Sequence, residues 1–79
     1  MERKVDVTYY GLIAEKLGKN SEELLLPTGD IELKKFIEIT HPELSGLTFS
    51  IAVDLEITTT IPENVLPNKI DVMPPFAGG

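Results

Sequence analysis

Between Lys4 and Tyr10 the chain alternates, with Val5, Val7 and Tyr9 on one side and Asp6, Thr8 and Tyr10 on the other. A period of two is that of a strand with one buried face. Glu22 to Leu26 is a second strand candidate, and Pro27-Thr28-Gly29-Asp30 supplies a turn after it. Leu12 to Leu17, between them, reads as a loop or as a helical turn ended by Gly18. The period then changes: Leu33, Phe36, Ile37 and Thr40 fall at i, i+3, i+4 and i+7, one stripe of a helix. Asp30 is placed to cap that helix, and Pro42 closes it at about His41.

Leu44 to Leu47 is a short connection, after which Thr48 to Asp54 alternates again with Phe49, Ile51 and Val53 on one side. The β-branched run Ile57 to Thr60 suits a partner strand, joined through a turn at Asp54-Leu55-Glu56 that lacks the glycine tight hairpins favour. Leu66-Pro67-Asn68-Lys69 fits a type I turn with proline second. It leads into a last strand, Lys69 to Met73, with Ile70 and Val72 facing one way and Asp71 and Met73 the other. Two strands, one helix and two or three further strands make an α+β domain with one main helix on a sheet of four or five strands.

A single helix covers one face of such a sheet and leaves the other to solvent or a partner. Parity puts Tyr10 and Met73 on that second face, both at strand ends close to the C-terminal tail. A contiguous apolar patch there would be a docking surface, whereas apolar residues scattered singly are ordinary.

Composition narrows the field. Seventy-nine residues suffice for one core, and 42% hydrophobic with 25% charged residues is the balance of a folded domain. Cysteine is absent, which excludes disulfides, thiolate metal sites and cysteine nucleophiles and fits a reducing cytoplasm. Met1-Glu2-Arg3-Lys4-Val5 carries positive charge without the apolar stretch of a signal peptide, and no run is long enough to span a membrane. A soluble cytoplasmic protein is expected. Thirteen acidic against seven basic residues give a net charge of −6, which repels phosphate backbones and anionic membranes. Neither nucleic acid nor membrane is an expected partner. The same charge favours a basic protein surface or simply keeps the chain in solution.

Chemistry inside the domain is sparse. His41, the single histidine, precedes Pro42 at a helix end and suits capping or solvation. Ser21, Ser45 and Ser50 have no context for nucleophilic activation, and neither a phosphate-binding loop nor metal-ligand spacing occurs. The carboxylate pairs Glu22-Glu23 and Asp54 with Glu56 read as solvated surface.

The C-terminal tail differs in kind. Pro74 and Pro75 fix φ and favour a stiff, extended stem, and Met73 before them is pushed toward extended geometry. Phe76 and Ala77 continue the stem to Gly78 and Gly79, whose missing side chains let a tip thread a narrow tunnel. From Pro74 onward the extended tail spans roughly 20 Å, enough to reach into another protein's active site. Glycine tails and appended remnants also end in Gly-Gly, but they are normally led into by polar residues rather than by an apolar, proline-stiffened run. The terminal carboxylate of Gly79 is the candidate reactive group.

On three stretches the chain resembles the β-grasp, ubiquitin-like sulfur carriers, and among them the small subunit of molybdopterin synthase (MoaD type). They are Val5-Asp6-Val7-Thr8-Tyr9-Tyr10-Gly11, Ile51-Ala52-Val53-Asp54 and, most specifically, Val72-Met73-Pro74-Pro75-Phe76-Ala77-Gly78-Gly79. The chain departs from the family pattern at Asp54, where asparagine is common, at Pro67-Asn68-Lys69, where an Asp-Gly-Asp type of turn is usual, and at Ala14, where a basic residue often stands. The resemblance implies a mixed β-grasp sheet in a domain over residues 1–73 and an extended reactive tail over 74–79.

It also implies a division of labour. An adenylating enzyme of the MoeB type, related to ubiquitin activators, would use ATP to attach AMP to Gly79, and sulfur from a donor protein would displace the AMP to leave a thiocarboxylate. A large subunit of the MoaE type would hold the pterin precursor that receives the sulfur, yielding the dithiolene that binds molybdenum or tungsten. The small chain would hold no cofactor or metal tightly and would not be catalytic alone. Tyr10, Ile57 and Met73 match the family's partner-contacting positions, and Pro74, Pro75, Phe76, Ala77 and Gly78 the threading tail. The rival readings are a thiamine-thiazole sulfur carrier (ThiS type), a ubiquitin-like modifier joined to target lysines through Gly79, and a binding module with an inert tail.

Overall fold

The structure, a computed structural model, describes residues 3–75. Strand β1 (Arg3–Tyr9) buries Val5, Val7 and Tyr9 on one side, as the alternation predicts. Helix α1 (Gly11–Leu17) follows at once, so the ambiguous stretch is helical; Gly18 closes it with φ 71°, its N–H bonded to the Ala14 carbonyl. Strand β2 (Ser21–Leu26) returns antiparallel to β1. Strand β3 (Ile31–Glu32) then leads into the main helix α2 (Leu33–Thr40), whose Leu33 and Ile37 are fully buried.

Asp30 does not cap α2. Glu32 holds that place, its carboxylate accepting from the Lys35 N–H at 2.6 Å, because Ile31 and Glu32 first form a short strand and push the helix start along the chain. The Asp30 carboxylate accepts instead from the N–H of Glu63. A single turn of 3₁₀ helix, Pro42–Leu44, buries Leu44 and ends the helical layer.

Strand β4 (Ser50–Val53) and β5 (Glu56–Ile57) form a hairpin whose turn residues, Asp54 and Leu55, have φ values of 49° and 72°. Two positive φ angles suit a two-residue hairpin, and here they fall on residues other than glycine. Asp54 offsets the cost: its carboxylate accepts from the N–H groups of Asn68 and Lys69 at 2.9 and 3.0 Å. Those bonds replace the expected type I turn at Leu66–Lys69; the backbone turn lies earlier, with the Val65 N–H on the Pro62 carbonyl. The expected Ile57–Thr60 strand is divided between β5 and β6 (Thr60–Ile61), and β6 pairs with β3 in a separate small sheet.

Strand β7 (Lys69–Met73) lies in the middle of the main sheet, parallel to β1 and antiparallel to β4, giving the order β2-β1-β7-β4-β5. The two helices and the 3₁₀ turn contribute Ile13, Leu33, Ile37 and Leu44 to one core with Val5, Val7, Tyr9, Ile51, Ile70 and Val72 from the sheet. Burying each such side chain is worth about 1.5–3 kcal/mol relative to exposure. Among the described residues, no helix is long and apolar enough to cross a membrane.

Candidate functional site

Among the described residues, no helix lies on the main sheet's second face. Pairing puts Ile57 beside Ala52, Ala52 beside Asp71, and Asp71 beside Thr8, one row across four strands. The next row holds Ser50 and Met73, and Tyr10 continues β1 on the same side. The three sequence-predicted contact residues therefore share one face: Ile57 is 63% exposed, Tyr10 40%, and Met73 half-buried.

At the centre of this face sits a carboxylate. Asp71 is only 5% exposed, accepts from the Tyr10 hydroxyl at 2.9 Å and pairs with Lys69 Nζ at 3.3 Å. The hydrogen bond to Asp71 and its negative charge raise the Lys69 amine above its ordinary value. Parity places Tyr10, Met73 and Asp71 on this side of the sheet, but nothing in the sequence marks Asp71 as buried. An acidic residue opposite Ile70 and Val72 looks solvated until Tyr10 is folded over it.

The tail leaves from the end of this strand. Tyr10 N–H donates to the Val72 carbonyl at 3.1 Å, carrying the β1–β7 ladder to its last rung. Pro74 beyond it is half-buried and Pro75 exposed. Phe76, Ala77, Gly78 and Gly79, the candidate stem end and reactive tip, lie outside the described residues.

Two polar clusters on the closed side were not legible as sites. His41, expected to cap carbonyls or face water, instead binds Glu22 Oε2 through Nε2 at 2.5 Å and meets the Tyr9 ring edge-on at 5.7 Å. Tyr9 donates its hydroxyl to the same oxygen, and Lys19 Nζ reaches the other at 3.2 Å. Burial alone would raise the Glu22 carboxyl, but the hydrogen bonds from Tyr9, His41 and Lys19 outweigh it and hold the group below its ordinary value of 4.5. Burial, reinforced by the Glu22 carboxylate, pushes the Tyr9 hydroxyl far upward, so it stays a donor. Arg3, at the far end of β1, is 8% exposed and gives Nη1 to the carbonyls of Pro62, Glu63 and Val65 and Nη2 to those of Pro27 and Gly29. Both clusters are internally satisfied, and no buried side-chain polar atom among the described residues lacks a partner. No group of acidic or histidine side chains there could hold a metal ion.

No protein-family model matches the chain, and no curated protein matches it in sequence. Solved structures do. A Pyrococcus furiosus protein provisionally named molybdopterin converting factor, subunit 1, superposes with a TM-score of 0.73 at 23% identity, over 94% of this chain and 99% of that one. The solution structure of the Haloferax volcanii HVO 2177 protein superposes with a TM-score of 0.70 at 13% identity, over 99% of this chain and 88% of that one. At these identities the likeness establishes architecture alone: the chain folds as a ubiquitin-like β-grasp.

Proposed function

We propose that this protein is a sulfur carrier, the small subunit of a molybdopterin synthase, acting in the cytoplasm with Gly79 as its carrier residue. The observation that carries the reading is the alignment of parts at the end of β7. A strand bonded on both sides runs into the Pro74-Pro75 stem beside an open face bearing Tyr10, Met73 and Ile57. The name of the Pyrococcus furiosus neighbour supports it.

The chemistry follows from the group carried. An α-carboxyl has a pKa of about 3.3–3.7, so at neutral pH it is an anion that repels nucleophiles. Attack of its oxygen on the α-phosphorus of ATP releases pyrophosphate and makes a mixed anhydride. Sulfide then adds at the acyl carbon and AMP departs, leaving the thiocarboxylate. The domain takes no part in bond making. It docks through the open face onto an activating enzyme of the MoeB type, and later onto a pterin-holding subunit of the MoaE type, and presents the tail to each. Tyr10, Ile57 and Met73 supply the apolar contact, and the stem Pro74, Pro75, Phe76 and Ala77 with Gly78 threads toward the reacting centre.

Mass spectrometry of the protein incubated with such an activating enzyme, ATP and sulfide tests this. A mass gain equal to the difference between sulfur and oxygen, localised to Gly79 and absent without ATP, is expected. No gain, or attachment to lysines of other proteins in its place, overturns the reading. A thiazole-forming acceptor that takes the sulfur in preference to a pterin acceptor would reassign the pathway while keeping the carrier.

A further inference from the structure

The first residue of α1 touches the root of the tail. Gly11 has φ +53°, and a Cβ placed on it would stand 3.1 Å from Cγ and 3.7 Å from Cδ of Pro74. Two requirements therefore meet in one residue: a left-handed backbone, and the absence of a side chain where another ring is seated. The other described glycines share only the first. Gly18, Gly29 and Gly46 also have positive φ, yet a Cβ on any of them meets nothing within 4 Å.

The backbone at this point cannot step aside. Tyr10, immediately before Gly11, donates its N–H to Val72 at 3.1 Å, and its carbonyl accepts from the N–H groups of Ile13 and Ala14 at 3.1 and 3.4 Å. Its hydroxyl is bound to Asp71 as well. Gly11, at the head of α1, is thus held beside the last strand. Pro74, on the other side of the contact, has no N–H with which to extend the sheet ladder, so packing of its ring has to orient the stem.

We propose that Gly11 is a positioning residue for the tail: its bare Cα is the seat of the Pro74 ring and sets the direction in which the stem leaves the sheet. The inference rests on the carrier reading for its functional consequence, although the seat itself stands apart from that reading. A side chain at position 11 shifts the ring outward at the root, and the shift is passed on to Pro75 and the chain that follows it. Misplacement of about 1 Å at a reacting group can lower a rate on the order of a hundredfold.

The test compares wild type, Gly11→Ala and Gly18→Ala. Both variants put a Cβ on a left-handed residue, so both lose thermal stability; only the first fills the seat. Read by the rate of ATP-dependent thiocarboxylation with activating enzyme and sulfide, Gly11→Ala falls roughly ten- to a hundredfold and Gly18→Ala stays near wild type. In the NMR spectrum, cross-relaxation between the α-protons of residue 11 and the Pro74 ring is equally strong in wild type and Gly18→Ala and weaker in Gly11→Ala, where the new methyl takes over the contact. Equal rates in all three proteins, or an equal fall in both variants, overturn the proposal. Should Gly11→Ala fail to fold, Pro74→Ala removes the ring from the other side; a wild-type rate for that variant also overturns it. If wild type gains no sulfur, the carrier reading fails by itself, and the presence or absence of the residue 11 to Pro74 cross-relaxation still decides whether the seat exists.

Discussion

Strand β7 has two faces that are buried by different means. Ile70 and Val72 are covered by the helical layer and are wholly inaccessible, whereas Asp71, between them in sequence, is met on the opposite side by the Tyr10 hydroxyl and the Lys69 amine. The first kind of burial is shared among many side chains. The second depends on two neighbours that are themselves open to water. The closed face therefore holds the domain together, while the open face keeps a compact arrangement of apolar and polar groups that a partner can still reach. Glu22 shows the same contrast from the closed side: its carboxylate is fixed by Tyr9, His41 and Lys19 at the rim of the core.

Substitutions on the two faces should separate stability from docking. Ile70→Ala leaves a cavity beneath the helices and is expected to cost about 2–5 kcal/mol in urea unfolding, enough to leave much of a domain this small unfolded. Arg3→Met should follow at about 2–4 kcal/mol, since a charged group's hydrogen bonds are worth about 1.5–3 kcal/mol each but are not additive. Arg3→Lys should rescue little, because an ammonium cannot reproduce the planar fork. Asp71→Ala is expected to cost about 1 kcal/mol, the net value of a hydrogen bond whose donor can turn to water, while weakening partner binding more than it weakens the fold.

A smaller, pH-dependent effect belongs to Glu22. Its carboxyl is held below 4.5 in the fold, so the stabilisation is complete above that value and is lost as pH falls through the lower folded one. Glu22→Gln should flatten that part of the stability profile and leave neutral-pH binding unaltered. A profile unchanged by the substitution would show that the cluster contributes nothing to folding. Ile57→Ser should lie within about 0.5 kcal/mol of wild type in stability yet reduce affinity for the activating enzyme. A large loss of stability there would mean that the open face is part of the core.

Much of this was legible because strands and helices announce themselves by period. The alternation in β1 and β7 predicts the buried side chains, and parity alone brings Tyr10 and Met73 to one face. What could not be read rests on distant pairings. The guanidinium of Arg3 meets carbonyls 24 to 62 positions away, and nothing local distinguishes it from the other charges near the N-terminus. Glu32 displaces Asp30 as the cap because β3 pairs with β6, a partnership between two-residue strands that leaves no periodic signal. His41 and Glu22 lie 19 positions apart, one at the end of α2 and the other in β2, and only the folded chain joins them.

The central station of β7 has a mechanical consequence. A load applied along β7 from its C-terminal end would enter a strand that is laced to β1 on one edge and to β4 on the other. Tension along the strand is borne by the rungs on both edges together, whereas a strand at the margin could be peeled away one rung at a time. A pull on that end would therefore be resisted by both edges at once rather than unravel the domain from its last described strand.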